Sequence, residues 1–296
     1  MERFFAPYSE TKGKGRMKKS VKIILSVLCV IMAAVCVCCV LYIVQYVRGN
    51  DLNERLVSDV ASQTVEAVLN EADDETGDET DASETVAEDE TKEAPQKTFK
   101  NIDFAALRAI NEDIYAWIDM PGTVINYAVV QSEDENEFYS DHSVDGSYYS
   151  GGSIFSQRYN KRDFTDPVTV LYGHNRKNGT MFAALNDFAD PAFFEKHKTV
   201  YIYLEGMVYE YTVFAAYPHS SEHLLLNHDF TDEEEFTEYF SSLKDGVNTN
   251  YDRDMFPVFG DKVLTLSTCY KENRMQRYLV QAKLTAQYSL VYDKAE

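Results

Sequence analysis

Three side chains in the chain have the types that nucleophilic acyl chemistry requires. Cys269 ends the β-branched stretch "LTLSTC" and is the one cysteine outside an apolar segment near the N-terminus. His174 ends "VTVLYGH" before a polar loop, and Arg277 opens "RYLVQAK" after another loop. A thiol attacks as its thiolate and needs a basic or positive neighbour. A guanidinium stays charged and offers several donors to an oxyanion, so this set of residues suits attack on a carbonyl.

Each of these residues also has a simpler structural interpretation. Taken alone, Cys269 is more simply an inert, small buried hydrophobe, and Arg277 a surface residue at a strand end. His174 is favoured among the histidines because a strand end and a polar loop flank it. His197 is expected on a helix surface, and three others fall in a connecting loop: His219, His223 and His228. The hypothesis of a reactive thiol therefore depends on whether these side chains meet.

The elements that would position them are mostly strands. Eight segments rich in Val, Ile, Tyr and Thr predict strands. They are a short segment at Trp117 and residues 123–131, 151–155, 167–174, 199–206, 207–218, 261–269 and 277–288. If the last two pair as antiparallel neighbours, their seven-residue connection places Arg277 beside Cys269. So many strands separated by loops predict a β-barrel or sandwich.

Helical patterns occupy three stretches of the same region. They are expected at residues 104–110, 180–188 and 231–245. In the last of these, Thr231 is the candidate N-cap, acidic residues fill the electropositive first turn, and an apolar stripe faces the core. The sequence "LEGM" at 204–207 predicts a tight hairpin connection between two strands.

The N-terminal part predicts a membrane anchor. Residues 23–44 contain no charged side chain, and about 20 apolar residues suffice for a helix to cross a bilayer. Six basic residues lie between residues 12 and 22, just before the segment: Lys12, Lys14, Arg16, Lys18, Lys19 and Lys22. We therefore expect 1–22 to be a cytoplasmic tail, 23–44 an uncleaved single-pass anchor, and the rest extracellular. Four cysteines lie inside the anchor, so the extracellular part has no second cysteine for an internal disulfide.

The segment at 45–98 predicts a spacer. Apolar residues at helical spacing favour a short juxtamembrane helix over 51–70, and 71–98 has too few large apolar side chains to fold. Residues 49–100 hold 16 acidic and 4 basic side chains, within a chain of formal net charge −21. Such a charge argues against a nucleic-acid partner, since phosphate binding needs a basic face. The acidic stretch at 132–142 lacks regular ligand spacing, so no metal and no cofactor is expected.

Several motifs in a fixed order resemble one known family. "VLYGHNRKNGTMF", "LTLSTC" and, eight residues after the cysteine, "RYLVQAK" resemble the class B sortases, membrane-anchored cysteine transpeptidases of Gram-positive bacteria. The resemblance extends from about residue 100 to the end and includes "WIDMPGTVINYAVVQ" and "GGSIF". It implies a mainly β fold for 99–296, an eight-stranded barrel with N-terminal helices and a helix between the sixth and seventh strands.

The resemblance also implies an activity. Cys269 would attack a threonine carbonyl in an NPxT-like or SPxT-like C-terminal sorting signal of a secreted protein, and His174 would act as acid and then base. Arg277 would stabilise the acyl centre, and a cell-wall precursor or pilin amine would release the thioester. Asn126, Val130 and Ser267 fall where similar enzymes contact the sorting peptide, although ordinary strand packing accounts for them equally well.

Two details and two alternatives stay open at this point. Some relatives carry an acidic residue two positions after the cysteine; this chain has Lys271 there and Glu272 next, so no carboxylate partner is expected. The backbone amide of Tyr270 is a candidate oxyanion donor. A hydrolytic cysteine peptidase would share the same site, and a non-enzymatic surface binding module would use the barrel without it.

Overall fold

A computed structural model of the protein describes residues 19–61, 64–69 and 97–291. The chain divides into two compact units, Met1–Val47 and Arg48–Glu296. Most of the predicted basic tail and most of the acidic tether lie outside the described residues. Helix α1 (Lys19–Ala61) contains the predicted anchor and is long and apolar enough, by length and composition, to cross a membrane.

The segment that follows α1 differs from the expectation. The helix predicted over 51–70 ends at Ala61, and Thr64–Leu69 forms strand β1. This strand pairs antiparallel with β2 (Lys97–Lys100) and with the last strand of the chain. Leu56 in α1 is buried in the same cluster as Phe99. The interface with distant residues therefore decides the structure here, which a local apolar pattern does not reveal.

Nine further strands follow, and eight of them were predicted. They are β3 (Ile114–Asp119), β4 (Asn126–Val130), β5 (Ile154–Ser156), β6 (Val168–Tyr172), β7 (Thr199–Leu204), β8 (Met207–His219), β9 (Asn250–Tyr251), β10 (Val263–Cys269) and β11 (Arg277–Val291). Among these nine strands, the two-residue β9 is the one without a predicted counterpart.

Eight of these strands close into a barrel, as expected. The order is β11-β10-β6-β5-β4-β3-β7-β8, and β8 pairs with β11 to complete the circle. Most pairs are antiparallel, but β6 with β10 and β4 with β5 are parallel. The predicted hairpin joins β7 to β8, where Leu204 faces Met207 and Gly206 has a φ of 79°, the left-handed conformation that glycine adopts easily.

Helices pack against the strands of the barrel. Asp103 caps α2 (Phe104–Ile110), which buries Phe104 and Leu107. The stretch predicted as a helix at 180–188 is a 3-10 helix over Ala183–Ala189, followed by α3 (Pro191–Lys196). After β8 come α4 (Leu224–Asn227) and α5 (Glu233–Ser242).

Helix α5 lies between the sixth and seventh barrel strands, as expected, but its cap differs. Asp232 is the N-cap, and its side chain accepts from the Glu235 N–H at 2.9 Å. The hydroxyl of Thr231 instead donates to Asp229 Oδ1 at 2.6 Å. Both residue types cap well, so the choice depends on where the first helical turn begins.

Candidate active site

The strand pairing brings the three predicted residues to one end of the barrel. Strands β6 and β10 run parallel, with Tyr172 opposite Ser267, so both chains leave the sheet at the same edge. His174 follows β6 by two residues, and Cys269 ends β10. The antiparallel hairpin of β10 and β11 places Arg277 directly opposite Cys269. This confirms the predicted pairing of the last two strands.

Cys269 and Arg277 are in direct contact. The Arg277 Nη1 group donates to Cys269 Sγ at 3.0 Å. The cysteine is partly buried, whereas the arginine is exposed. A fixed guanidinium at this distance offers a positive charge to the sulfur, and its remaining N–H groups stay available to a second acceptor.

The main chain of Cys269 is held by two asparagines. The Nδ2 groups of Asn175 and Asn186 donate to the Cys269 carbonyl oxygen at 2.9 and 3.3 Å. Asn186 also accepts from the Lys271 N–H at 2.7 Å. Asn186 is buried and sits on the 3-10 helix, so it ties the cysteine and the start of the following loop to a separate element.

The Tyr270 amide does not point where an oxyanion donor should. Its N–H donates to the Gln276 carbonyl oxygen at 3.0 Å, within the turn that joins β10 to β11. The suggestion that it is a second oxyanion donor is therefore wrong for this conformation. The Tyr270 hydroxyl donates to Glu272 at 3.1 Å, so the acidic residue of the loop is engaged there.

His174 is held by a main-chain carbonyl rather than by a carboxylate. Its Nε2 lies 2.6 Å from the Ser140 oxygen, and because a carbonyl only accepts, Nε2 carries the proton in this bond. The loop from 138 to 153 therefore fixes the tautomer of the imidazole. The residue before His174 must also be a glycine, because a Cβ on Gly173 would lie 2.7 Å from Phe182 Cδ2, closer than real side chains pack.

The same loop connects the histidine segment to helix α1. The Tyr149 hydroxyl donates to Asn50 Oδ1, and Arg176 Nη1 bonds to both the Tyr149 hydroxyl and, at 3.4 Å, Asn50 Oδ1. The Arg176 guanidinium also lies 5.1 Å from the centre of the Tyr149 ring. Arg176 is two residues after His174, so this cluster attaches the histidine loop to α1 at Asn50.

Cys269, His174 and Arg277 line one cavity of about 160 Å³. Its walls come from β6, β10, β11 and the segment after β8. They include aromatic and aliphatic side chains and two carboxylates, listed here: Phe155, Tyr172, Leu224, Leu279, Glu137 and Glu222. A narrow, partly apolar cavity beside a thiol suits an extended peptide with few charges.

A histidine that was assigned to a loop lies in the wall of this cavity. His223 Nε2 donates to Gln157 Oε1 at 2.5 Å, and Gln157 Nε2 donates to Glu137. Burial lowers the pKa of His223, and the charge of Glu137 partly opposes that effect. Its Nδ1 is buried and makes no hydrogen bond to any residue that the structure describes.

The structure brings only part of the predicted peptide-binding set to the cavity. Ser267 is buried and lines it. Asn126 is not among the lining residues; its Oδ1 accepts from Trp117 Nε1 at 2.8 Å and from Lys100 Nζ at 3.0 Å. Val130 is fully buried in a core cluster with Trp117. The interpretation of these two as strand packing fits their surroundings.

Sequence reasoning also misplaced or missed several residues near the site. His197, expected on a helix surface, is buried as the C-cap of α3, and its ring stacks near Phe193. His219 ends β8 and lines the cavity. The contribution of Ser140 comes from its carbonyl, which carries no side-chain signal. Asn175, immediately after His174, was the one missed residue whose position in the sequence could have indicated a role at the site.

Comparisons with known proteins agree with this geometry. A family model described as the sortase domain matches residues 118–285. Sortase B of Listeria monocytogenes is 32% identical over 181 residues, which cover 60% of this chain and 72% of that protein. Among solved structures, sortase B from B. anthracis is similar with a TM-score of 0.61 and 25% identity, covering 82% of this chain and 99% of that chain. A Staphylococcus aureus sortase B–substrate complex has a TM-score of 0.55 and 31% identity, over 62% of this chain and 84% of that one.

Proposed function

The chain belongs to the class B sortases, and from that premise we propose that it cleaves a C-terminal sorting signal and transfers the secreted protein to an amine. The signal would be of the NPxT or SPxT type, and the acceptor a cell-wall precursor or pilin amine. The observation that carries the proposal is the 3.0 Å contact from Arg277 Nη1 to Cys269 Sγ at a cavity that His174 also lines.

The first half of the reaction forms a thioester. The Cys269 thiolate attacks the threonine carbonyl carbon, so a C–S bond forms and the C–N bond of the signal breaks. A proton from the His174 imidazolium goes to the leaving amine. Because Nε2 stays bonded to Ser140, Nδ1 is the nitrogen that gives up this proton. One N–H of Arg277 remains on the sulfur while others stabilise the oxyanion.

The second half reverses these transfers. The incoming amine attacks the thioester carbon, a C–N bond forms, the C–S bond breaks, and His174 takes the proton that the amine loses. The thioester keeps the acyl group reactive toward an amine, and the thiolate is regenerated without net consumption of water. Ser267 and the aromatic wall of the cavity hold the sorting peptide. Asn126 and Val130 have no place in this proposal, because their side chains are engaged elsewhere.

The proposed location follows the charge pattern around the anchor. Basic residues such as Lys19 and Lys22 precede the apolar part of α1, and acidic residues such as Asp51 and Glu54 follow it. The positive-inside rule then places the N-terminus in the cytoplasm and the catalytic unit outside the cell. Secreted proteins and wall precursors are present on that side.

The experiment uses the full chain in neutral detergent micelles with a sorting peptide, with and without an amine acceptor. We expect a thioester adduct on Cys269 by mass spectrometry and a ligated product when the acceptor is present. The Cys269→Ala variant should form no adduct and keep its melting temperature, since little packing is lost at a partly buried thiol. Cleavage that never incorporates the acceptor would instead identify a hydrolytic peptidase, and binding without an adduct would indicate a surface binding module.

A further inference from the structure

The part of α1 that belongs to the second compact unit packs along the loop from 138 to 153, which holds His174. Leu56 of α1 is buried in the same apolar cluster as Tyr139 and Val144 of that loop. Burial of these apolar surfaces together holds the two segments against each other. Helix α1 therefore does more than connect the catalytic unit to the predicted anchor, because it forms part of the structure around the imidazole.

A polar cluster lies in the same interface. Asn50 Oδ1 accepts from the Tyr149 hydroxyl and, at 3.4 Å, from Arg176 Nη1. Arg176 Nη1 also donates to the Tyr149 hydroxyl. Tyr149 is only 1% exposed, so bulk water has little access to its side chain. The single side-chain oxygen of Asn50 is therefore the point on which donors from two loops converge.

One connection from Asn50 reaches His174 through Arg176. Arg176 is two residues after His174, and Asn175 between them donates to the Cys269 carbonyl at 2.9 Å. The His174 carbonyl accepts in turn from an N–H of the following segment at 3.0 Å. A displacement of Arg176 therefore acts on a short segment that carries the histidine and contacts the cysteine.

A second connection reaches His174 through Tyr149 and Ser140. The Tyr149 N–H donates to the Asp141 carbonyl at 2.8 Å, and the Tyr149 carbonyl accepts from the Gly152 N–H at 2.8 Å. Gly152 has a φ of 60°, and a Cβ there would lie 2.5 Å from the Ser140 carbonyl oxygen. That oxygen accepts from His174 Nε2 at 2.6 Å. The backbone around Tyr149 thus packs directly against the group that holds the imidazole.

We propose that Asn50 is a positioning residue for His174. By accepting from Tyr149 and Arg176, it fixes both segments that hold the imidazole. The inference rests on the proposed function, because it concerns the residue that transfers protons in that reaction. Proton transfer requires the ring to lie within hydrogen-bond reach of the amine, so a small displacement of the ring lowers kcat.

Asn50 acts at a distance from the substrate. It does not line the cavity that contains Cys269, His174 and Arg277, so its loss should leave peptide binding unchanged. Asn50 follows the charge-free segment 23–44 by six residues. The helix that carries the predicted anchor thereby contributes a side chain to the support of the catalytic histidine.

The test uses the full chain in neutral detergent with the sorting peptide, and compares three variants. Asn50→Leu has a similar size but no acceptor, and Asn50→Asp keeps an oxygen acceptor. Ser58→Ala is the matched control, since Ser58 lies on the exposed side of α1 and its hydroxyl donates to the Arg55 carbonyl. Urea unfolding of each variant identifies the conditions in which it is folded, and the rates are measured there.

The three variants should differ in kcat rather than in KM. For thioester formation by Asn50→Leu we expect kcat to fall about tenfold, since a small misplacement of a catalytic group is costly. KM should change by less than about twofold, because the interaction supports the transition state and not peptide binding. Asn50→Asp and Ser58→Ala should keep kcat within about twofold of the original chain.

The hydrogen bond of His174 gives a measurement that needs no turnover. In the chain labelled with ¹⁵N-histidine, the Nε2–H proton held by Ser140 should give a resolved NMR signal, which is assigned by its absence in His174→Gln. We expect the signal in the original chain, in Asn50→Asp and in Ser58→Ala. In Asn50→Leu it should weaken or disappear, because the proton exchanges with water more readily when the ring is less firmly held.

A double variant tests whether Asn50 and Tyr149 act together. Tyr149→Phe removes the hydroxyl that donates to Asn50, so it should lower kcat by itself. Asn50→Leu combined with Tyr149→Phe should be no more than about twofold slower than the slower single variant, since both changes break the same connection. Independent effects that multiply would contradict the shared connection.

Every outcome decides the matter. Unchanged kcat in folded Asn50→Leu overturns the inference, as does an equal loss in Asn50→Asp, which would show that the acceptor oxygen is not the cause. A lower kcat with an intact His174 N–H signal also overturns it. If Asn50→Leu does not fold, an unchanged kcat in Tyr149→Phe overturns the inference. If the original chain forms no thioester, the proposed function fails, and the N–H signal alone then decides whether Asn50 positions His174.

Discussion

Asn175 and Asn186 both hold the Cys269 carbonyl, so each should partly compensate for loss of the other. Asn175 and Asn186 both donate to the same oxygen, at 2.9 and 3.3 Å. Asn186 has an additional bond, in which it accepts from the Lys271 N–H at 2.7 Å. These are the two side-chain donors to this carbonyl within the described part of the chain, so alanine at one position leaves one of them and alanine at both leaves neither. The free-energy changes should therefore not add.

The magnitudes follow from which groups lose their last partner. Asn175→Ala removes one bond and leaves no group unpartnered, so we expect a loss of about 0.5–1 kcal/mol in the free energy of unfolding. Asn186→Ala also leaves the Lys271 N–H without its partner, so the expected loss is about 2 kcal/mol. In the double variant the Cys269 carbonyl is unsatisfied as well, which adds a coupling of about 1 kcal/mol beyond the sum.

The single tryptophan provides the assay. Trp117 on β3 is fully buried, and α1 contains no tryptophan, so its fluorescence reports unfolding of the catalytic unit in urea. The full chain in detergent is compared with each single variant and the double variant. A control cycle pairs Asn175→Ala with Asn178→Ala, because Asn178 lies in the same loop and its Oδ1 accepts from the N–H and the hydroxyl of Thr180 in its own turn. That control cycle should be additive.

The rate of thioester formation gives a second measurement. We expect the double variant to react about 10- to 100-fold more slowly, since a small displacement of a nucleophile is costly. Additivity of the two unfolding free energies within about 0.3 kcal/mol would refute the shared-carbonyl explanation. A double variant that is destabilised but reacts at the normal rate would show that the carbonyl supports the fold without positioning the sulfur.

Three further results are expected. Arg277→Gln should slow thioester formation about 10²- to 10³-fold, the usual effect of losing an oxyanion donor. The urea midpoint should stay the same, because the side chain is exposed. A rate within about threefold of the original would contradict the proposed role of Arg277. Burial lowers the pKa of His223 below its ordinary value of 6.5, so the unfolded chain binds more protons, and stability is lost as the pH falls from that value through the folded-state pKa. His223→Gln should reduce this slope in melting temperature between pH 7.5 and pH 5, and an identical slope would exclude the residue as its source. Gly49→Ala should lower the urea midpoint, because a Cβ there would overlap the Tyr149 ring. A higher midpoint would mean that the gain in helix propensity, about 1 kcal/mol, outweighs the overlap.

The local patterns of the sequence were sufficient for much of the fold. Segments rich in Val, Ile, Tyr and Thr predicted all eight barrel strands, because β-branched and aromatic side chains pack well on the pleated surface of a sheet. The contact of Cys269 with Arg277 was also foreseeable, since seven residues separate them and a short connection between strands makes an antiparallel hairpin. The family resemblance supplied the expected barrel and the roles assigned to the three residues.

Long-range pairing decided the rest. Residues 64–69 form a strand because β11 and β2 lie beside them, and neither partner is near in sequence. Ser140 holds His174 through a carbonyl that every residue type has, and it lies far from His174 in the sequence. The parallel pairing of β6 with β10 brings His174 and Cys269 to one cavity, although they are far apart in the sequence. The sequence thus determined the local elements and the identity of the reactive groups, while only the tertiary structure determined their surroundings, since these depend on contacts between distant segments.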